Sequence, residues 1–98
     1  MDLGLKGKKV LVTGSTKGLG RAIAETMLAE GASVAICARN AEEVAAAVAE
    51  MSKIGKVVGA SVDAADPEAL RAWVASSAEQ LGGIDVYVHN TSGKPARK

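Results

Sequence analysis

The sequence predicts an α/β fold, a doubly wound parallel sheet of about four strands with three helices on its two faces. Short apolar runs alternate with segments of helical periodicity along the 98 residues, and the connections between them are short. The first two strand candidates are apolar at successive positions, which is typical of strands buried on both faces. This alternation implies right-handed crossovers, and we expect the strand order 3-2-1-4.

The first half of the chain is predicted to form two strand–helix units. A strand over residues 8–13 contains the run Val-Leu-Val and precedes a helix over residues 18–30. A second two-sided strand over residues 33–38 precedes a helix whose N-cap is Asn40. Helical spacing in the first helix predicts that one apolar face contacts the sheet, made of Leu19, Ala22, Ile23, Thr26 and Met27.

The second half repeats the alternation. Residues 57–62 are predicted to form a third strand, interrupted at Gly59. The third helix is expected to begin at Asp66, with Pro67 at its first helical position. A fourth strand is predicted over residues 84–89. The whole chain, residues 1–98, is therefore interpreted as one domain.

Composition narrows the possible functions. The chain has no Phe, one Trp and one Tyr, so its core has to be built from aliphatic residues, with Trp73 as the anchor of the third helix. The net charge of +1 gives no reason to expect a nucleic acid partner. Cys37, the only cysteine, is expected to be a buried apolar residue. We find no leader and no membrane-spanning stretch, and we expect a cytoplasmic protein.

A glycine-rich turn between the first strand and the first helix is the main functional signal. Gly14 allows a tight turn out of the strand, Gly18 removes a Cβ where backbone approaches a phosphate, and Gly20 lets the helix pack closely. The N-terminus of the helix directs free N–H groups at the bound anion. The turn therefore predicts a site for a dinucleotide pyrophosphate, the alternative being a purely structural turn.

The spacing of this turn resembles the T-G-x-x-x-G-[IL]-G fingerprint of classical short-chain dehydrogenases/reductases. The resemblance implies a Rossmann-like fold and an oxidoreductase that acts on carbonyl or alcohol substrates by hydride transfer. It also implies cofactor contacts throughout the turn, by Gly14, Ser15, Thr16, Lys17, Gly18, Leu19 and Gly20.

The residue after the second strand predicts which cofactor is bound. An acidic residue there would accept hydrogen bonds from a ribose 2′-OH and would indicate NAD, but the chain has Ala38 and then Arg39. A guanidinium suits a phosphate, and Lys17 in the turn can reach the same region. We therefore predict NADP in preference to NAD, the alternative being that both cations are ordinary solvated side chains.

Three further contacts follow from the family resemblance. Asp63 is expected at the adenine amino group, with Val62 supplying backbone contacts, although Asp63 could instead cap a turn. Asn90 occupies a segment similar to the family's N-N-A-G and is expected along the adenine ribose. His89 replaces the first asparagine of that segment, and we favour a structural role for it over an acid–base one.

The resemblance runs from residue 8 to about residue 93 and covers only the first part of the family's domain. The family's catalytic Ser and Tyr-x-x-x-Lys are absent, because Tyr87 lies in a predicted strand and position 91 is Thr. We therefore predict no catalytic residue and no metal site, and expect a truncated chain without turnover of its own. The alternative is a non-catalytic nucleotide-binding or interaction module. An S-adenosylmethionine-binding domain is disfavoured by Arg39.

The predicted fourth strand also bears on assembly. In a sheet that ends there, one row of its N–H and C=O groups has no partner, and such edges pair with other chains. We therefore expect a homo-oligomer formed through the fourth strand.

Overall fold

The computed structural model describes residues 4–14 and 18–90. Seven elements alternate along the chain, with bounds close to those predicted except in the last strand. They are β1 (Lys9–Thr13), α1 (Gly18–Ala29), β2 (Ser33–Ala38), α2 (Ala41–Met51), β3 (Val57–Ser61), α3 (Pro67–Leu81) and β4 (Val86–Val88).

The four strands form one parallel sheet in the order β3-β2-β1-β4, which confirms the predicted topology. Leu11 in the middle of β1 is in register with Ala35 of β2 and with Tyr87 of β4. The strand order reverses at β1, since β2 lies on one side of it and β4 on the other. A crevice at the carboxyl ends of β1 and β4 is therefore the expected ligand position in this fold.

Two separate cores lie on the two faces of the sheet. The larger core packs α1 and α2 against β1, β2 and β3 and includes Val10, Ile36 and Met51. The smaller one packs α3 against the opposite face, where Trp73 is 5% exposed. The prediction that Trp73 anchors α3 is confirmed, and so is the burial of Cys37.

The predicted sheet-facing side of α1 was partly wrong. Gly20, Ala24 and Leu28 are the buried residues of this helix, while Leu19 is 69% exposed. Ala22 and Thr26 are also exposed, and only Ile23 and Met27 of the predicted set pack against the core. The physical reason is that α1 contacts the sheet through its smallest residue, Gly20, and this close contact sets the rotation of the helix.

The sequence suggested that Gly59 interrupts the third strand, but Gly59 lies within β3. A Cβ at this position would lie 2.7 Å from Cγ2 of Val48 and 2.8 Å from Cγ1 of Val44. The missing side chain therefore lets α2 pack closely on the strand.

β4 is half as long as predicted, and side chains take part in its contacts with β1 at both of its ends. The Asp85 carboxylate accepts the N–H of Lys9 at 2.9 Å before the strand begins. After the strand ends, the hydroxyl of Thr13 accepts the N–H of Asn90 at 2.8 Å. Only Val86–Val88 remain in register with β1.

The predicted helix caps are present. The Asn40 side chain accepts the N–H of Glu43, and the Asp66 side chain accepts the N–H groups of Glu68 and Ala69. Gly82 ends α3 in the left-handed conformation, with φ of 86°. Within the described parts of the chain, no helix is long and apolar enough to cross a bilayer.

Candidate dinucleotide-binding site

The carboxyl ends of β1 and β4 are joined by hydrogen bonds between Thr13, Gly14 and Asn90. The fully buried Thr13 hydroxyl donates to the carbonyl oxygen of Asn90 at 3.1 Å and accepts the N–H of the same residue at 2.8 Å. Nδ2 of Asn90 donates to the carbonyl oxygen of Gly14 at 3.0 Å. Asn90 therefore lies at the carboxyl ends of β1 and β4, and its side chain holds the start of the glycine-rich turn in place.

Two glycines let three backbone segments meet at this point. Gly14 has a φ of +58°, and a Cβ there would lie 2.6 Å from the carbonyl oxygen of Asn90. A Cβ at Gly20 would lie 2.1 Å from the carbonyl oxygen of Gly14. Real Cβ atoms do not approach backbone so closely, so α1 can rest on the turn only with glycine at position 20. The packing role predicted for Gly20 agrees with this geometry.

Gly18 opens α1 and differs from the other two glycines. Its φ of +67° favours glycine, but a Cβ there would meet no atom of the described residues within 4 Å. Among these residues, the side of Gly18 on which a Cβ would lie is therefore open, which fits an approaching phosphate group. Leu19 is exposed beside it. Ser15, Thr16 and Lys17 lie outside the described residues.

The adenosine end of the predicted site lies at the tips of β2 and β3. Arg39 follows β2 and is exposed, and within the described residues no carboxylate forms an ion pair with its guanidinium. Oγ of Ser61 donates to the carbonyl oxygen of Arg39 at 2.8 Å. The N–H of Val62 donates to the carbonyl oxygen of Ala38 at 2.8 Å. The two strand tips are thus held together on both sides of Arg39.

Asp63 lies just beyond the end of β3 and makes a local turn contact. Its Oδ1 accepts the N–H of Ala65 at 2.9 Å, which is the turn-capping role that the sequence left open. The exposed carboxylate has a second oxygen, so this contact is compatible with an adenine contact as well.

Tyr87 and His89 form a pair that the sequence reading missed. The Tyr87 hydroxyl and Nδ1 of His89 lie 3.2 Å apart. Burial, and then the nearby Cys37 thiol, raise the pKa of Tyr87 above its usual range. An acid–base tyrosine needs a lowered pKa near neutral pH, so the shift is in the wrong direction for that role. The two-residue spacing on one strand was the available signal, because it places both side chains on the same face.

Arg21, near the start of α1, forms ion pairs with two carboxylates. Its Nε donates to Glu25 at 2.7 Å, and its Nη2 donates to Glu50 of α2. The hydrogen bonds that Arg21 donates to Glu50 and Glu25 raise the pKa of Arg21, and the bond to Glu50 lowers the pKa of that carboxylate. The four-residue spacing from Arg21 to Glu25 was visible in the sequence, but the contact with Glu50 depends on helix packing.

The described residues near the crevice include neither a reactive thiol nor a metal centre. Burial raises the pKa of Cys37 to about 11, against the opposing effect of a hydrogen bond with the Gly14 backbone, so the thiol stays protonated at neutral pH. Among residues 4–14 and 18–90, no three His, Cys, Asp or Glu side chains converge as metal ligands would.

The family model for short chain dehydrogenases matches residues 8–98, nearly the whole chain. The chain belongs to this family. It is 42% identical over 97 residues to isoepoxydon dehydrogenase from Penicillium expansum, covering 94% of this chain and 37% of that protein. It is 38% identical over 88 residues to sorbitol dehydrogenase from Cereibacter sphaeroides, covering 90% of this chain and 34% of that protein.

Solved structures of dehydrogenases and reductases share the fold. L-Sorbose reductase from Gluconobacter frateurii, complexed with NADPH and L-sorbose, superposes with a TM-score of 0.90 at 35% identity, covering 100% of this chain and 38% of that one. Hydroxysteroid dehydrogenase from Escherichia coli gives a TM-score of 0.86 at 31% identity, covering 91% and 38%. The chain spans about a third of the length of the first curated relatives it matches.

The close contact between Gly20 and the Gly14 carbonyl predicts the effect of replacing Gly20. A glycine-to-alanine change within a helix normally stabilises by up to about 1 kcal/mol. Here we expect Gly20→Ala to lower the free energy of unfolding by about 1–3 kcal/mol, because the new methyl group would overlap the Gly14 carbonyl. Urea titration followed by far-UV circular dichroism measures the change. Ala22→Gly, on the exposed side of the same helix, is the control for helix propensity, and a stabilised Gly20→Ala protein would contradict the packing geometry.

The buried hydroxyl of Thr13 makes a second prediction. Thr13→Val keeps the shape of the side chain but leaves both backbone groups of Asn90 without their partner, so we expect a loss of about 1–3 kcal/mol in the free energy of unfolding. Thr13→Ser retains the hydroxyl and should lose much less. Amide exchange at Asn90 should accelerate in Thr13→Val alone. Equal stability of the Val and Ser variants would show that the hydroxyl bonds contribute little.

Proposed function

We propose that these residues are the NADP(H)-binding portion of a short-chain dehydrogenase/reductase that acts on carbonyl or alcohol substrates. Family membership supports an oxidoreductase that uses a nicotinamide dinucleotide. The observation that carries the choice of cofactor is Arg39, an exposed guanidinium at the tip of β2 where an NAD-specific site would have an acid. The similar L-sorbose reductase was solved with NADPH.

In this proposal the residues at the carboxyl ends of the strands bind different parts of the cofactor. The turn at Gly14 and Gly18 and the first N–H groups of α1 hold the pyrophosphate. Arg39 and Lys17, with the hydroxyls of Ser15 and Thr16, hold the 2′-phosphate. Asp63 and Val62 contact the adenine, Asn90 lies along its ribose, and Leu19 lies beside the turn.

The bound nicotinamide would supply or accept the hydride. This chain's own residues bind and orient the adenosine and pyrophosphate parts of the cofactor. The Thr13–Asn90 hydrogen bonds fix the two strand ends between which it lies. No residue described here is assigned to proton transfer.

The cofactor preference is tested by removing the guanidinium. Arg39→Ala should weaken NADPH binding by about 1.5–3 kcal/mol, since a charge-assisted phosphate contact is lost, and should leave NADH binding nearly unchanged. Ala38→Asp should reverse the preference by repelling the 2′-phosphate. Calorimetric titration measures both, with the exposed Arg71→Ala on α3 as a control for net charge. Equal affinity of the unaltered chain for NADPH and NADH would contradict the assignment.

The second candidate is a nucleotide-binding module without chemistry of its own, and it is favoured by the Tyr87–His89 pair. These are the only Tyr and His of the chain, and the Tyr87 pKa is raised rather than lowered. We therefore expect the 98-residue chain to oxidise no NADPH when mixed with a panel of aldehydes and ketones, as followed by absorbance. Turnover that disappears in His89→Ala would overturn this expectation and make His89 a catalytic residue.

We also propose that the outer edge of β4 pairs with another strand, which in a preparation of these 98 residues comes from a second copy. Among the described residues β4 pairs with β1 alone, and Tyr87 is 44% exposed. The N–H of Asn90 points to β1, where the Thr13 hydroxyl accepts it at 2.8 Å. Because backbone N–H groups alternate in direction along a strand, the N–H of Val88 also points to β1 and the N–H of Tyr87 points outward.

This geometry gives a matched pair of variants. Tyr87→Pro removes an outward donor and should convert a dimer to a monomer in sedimentation at micromolar concentration. Val88→Pro removes an inward donor and should instead destabilise the fold. A folded, monomeric unaltered chain would show that the edge does not drive association.

A further inference from the structure

We infer that Ser61 is a positioning residue for recognition of the 2′-phosphate, acting through the backbone of Arg39. Ser61 is the last residue of β3, and its Oγ donates to the carbonyl oxygen of Arg39 at 2.8 Å, across 22 positions of sequence. The inference rests on the proposed function, because it takes Arg39 as the phosphate ligand.

The position of Arg39 explains why this one hydrogen bond matters. Ala38 is held by the sheet ladder and by the N–H of Val62, which donates to its carbonyl oxygen. Asn40 is held as the N-cap of α2, where its side chain accepts the N–H of Glu43. Arg39 lies between these two fixed residues, and the Ser61 hydroxyl fixes its carbonyl group. The direction in which the arginine side chain leaves the backbone is thereby fixed as well.

The Ser61 hydroxyl is expected to order the backbone at Arg39 rather than to stabilise the folded protein. Ser61 is exposed, so water could satisfy both its hydroxyl and the Arg39 carbonyl if the two were apart. An arginine loses much side-chain freedom when it binds a phosphate, and a backbone that is already fixed reduces what has to be ordered on binding. The effect should be confined to the 2′-phosphate, because the pyrophosphate site is built by the separate turn at Gly14 and Gly18.

The test compares two nucleotides that differ only in that phosphate, 2′,5′-ADP and 5′-AMP. Ser61→Ala should weaken binding of 2′,5′-ADP about threefold to tenfold, the cost of ordering one more side chain on binding, and leave binding of 5′-AMP within about twofold. Ser61→Thr keeps the hydroxyl and should restore the preference. Ser52→Ala is the matched control, because Ser52 is also exposed and its Oγ donates to a backbone carbonyl, that of Ala49, at the other end of α2.

A second measurement needs no nucleotide. Backbone ¹⁵N relaxation of the ligand-free chain should show lower order parameters at Arg39 and Asn40 in Ser61→Ala than in the unaltered chain or in Ser61→Thr. A merely structural role for the hydroxyl would lower binding of both nucleotides together with stability.

The outcomes separate the inference from the proposed function. If the unaltered chain prefers 2′,5′-ADP and Ser61→Ala keeps that preference, or loses affinity for both nucleotides equally, the inference is wrong and the proposed function stands. If the unaltered chain binds both nucleotides equally, or neither, the proposed function fails and the role of Ser61 fails with it.

Discussion

The contact between Gly20 and the Gly14 carbonyl is the constraint on which the rest of the site depends. A side chain as small as one methyl group at position 20 would lie 2.1 Å from that oxygen. The close contact sets the rotation of α1, so that Ala24 and Leu28 face the sheet and Leu19 faces solvent. It also brings the first turn of α1, which begins at Gly18, beside the strand ends.

The Thr13–Asn90 hydrogen bonds extend this constraint across the sheet. They join β1 to β4 where the strand order reverses, the position at which ligands bind in folds of this kind. At the other end of the site, Ser61 and Val62 join the tip of β3 to the tip of β2 around Arg39. The proposed dinucleotide site therefore lies between two pairs of strand ends, each tied by specific hydrogen bonds.

The sequence predicted the sheet order, the strands and the helix caps well, because these follow from local patterns such as the apolar run of β1 and the Asp66-Pro67 helix start. It was partly wrong about the buried face of α1 and wrong about Gly59, since both depend on how closely a helix approaches a strand, and glycine carries no hydrophobic signal for that contact. It also overestimated β4, where the side chains of Asp85 and Thr13 bond to the backbone of the neighbouring strand in ways that no periodicity shows. The Ser61–Arg39 bond joins residues from two strands and became visible only once the strand tips were placed side by side.

The central claim is that a dinucleotide binds at the carboxyl ends of the strands of this sheet, and chemical-shift mapping tests it most directly. In a titration of ¹⁵N-labelled protein with NADP⁺, the largest amide shifts should fall at Gly14, Gly18, Arg39 and Asp63. The amides of Gly31 and Lys56 lie at the amino ends of β2 and β3, and their chemical shifts should not change. Shifts concentrated at the amino ends of the strands or along the outside of α2, or no saturable shifts at all, would contradict the account.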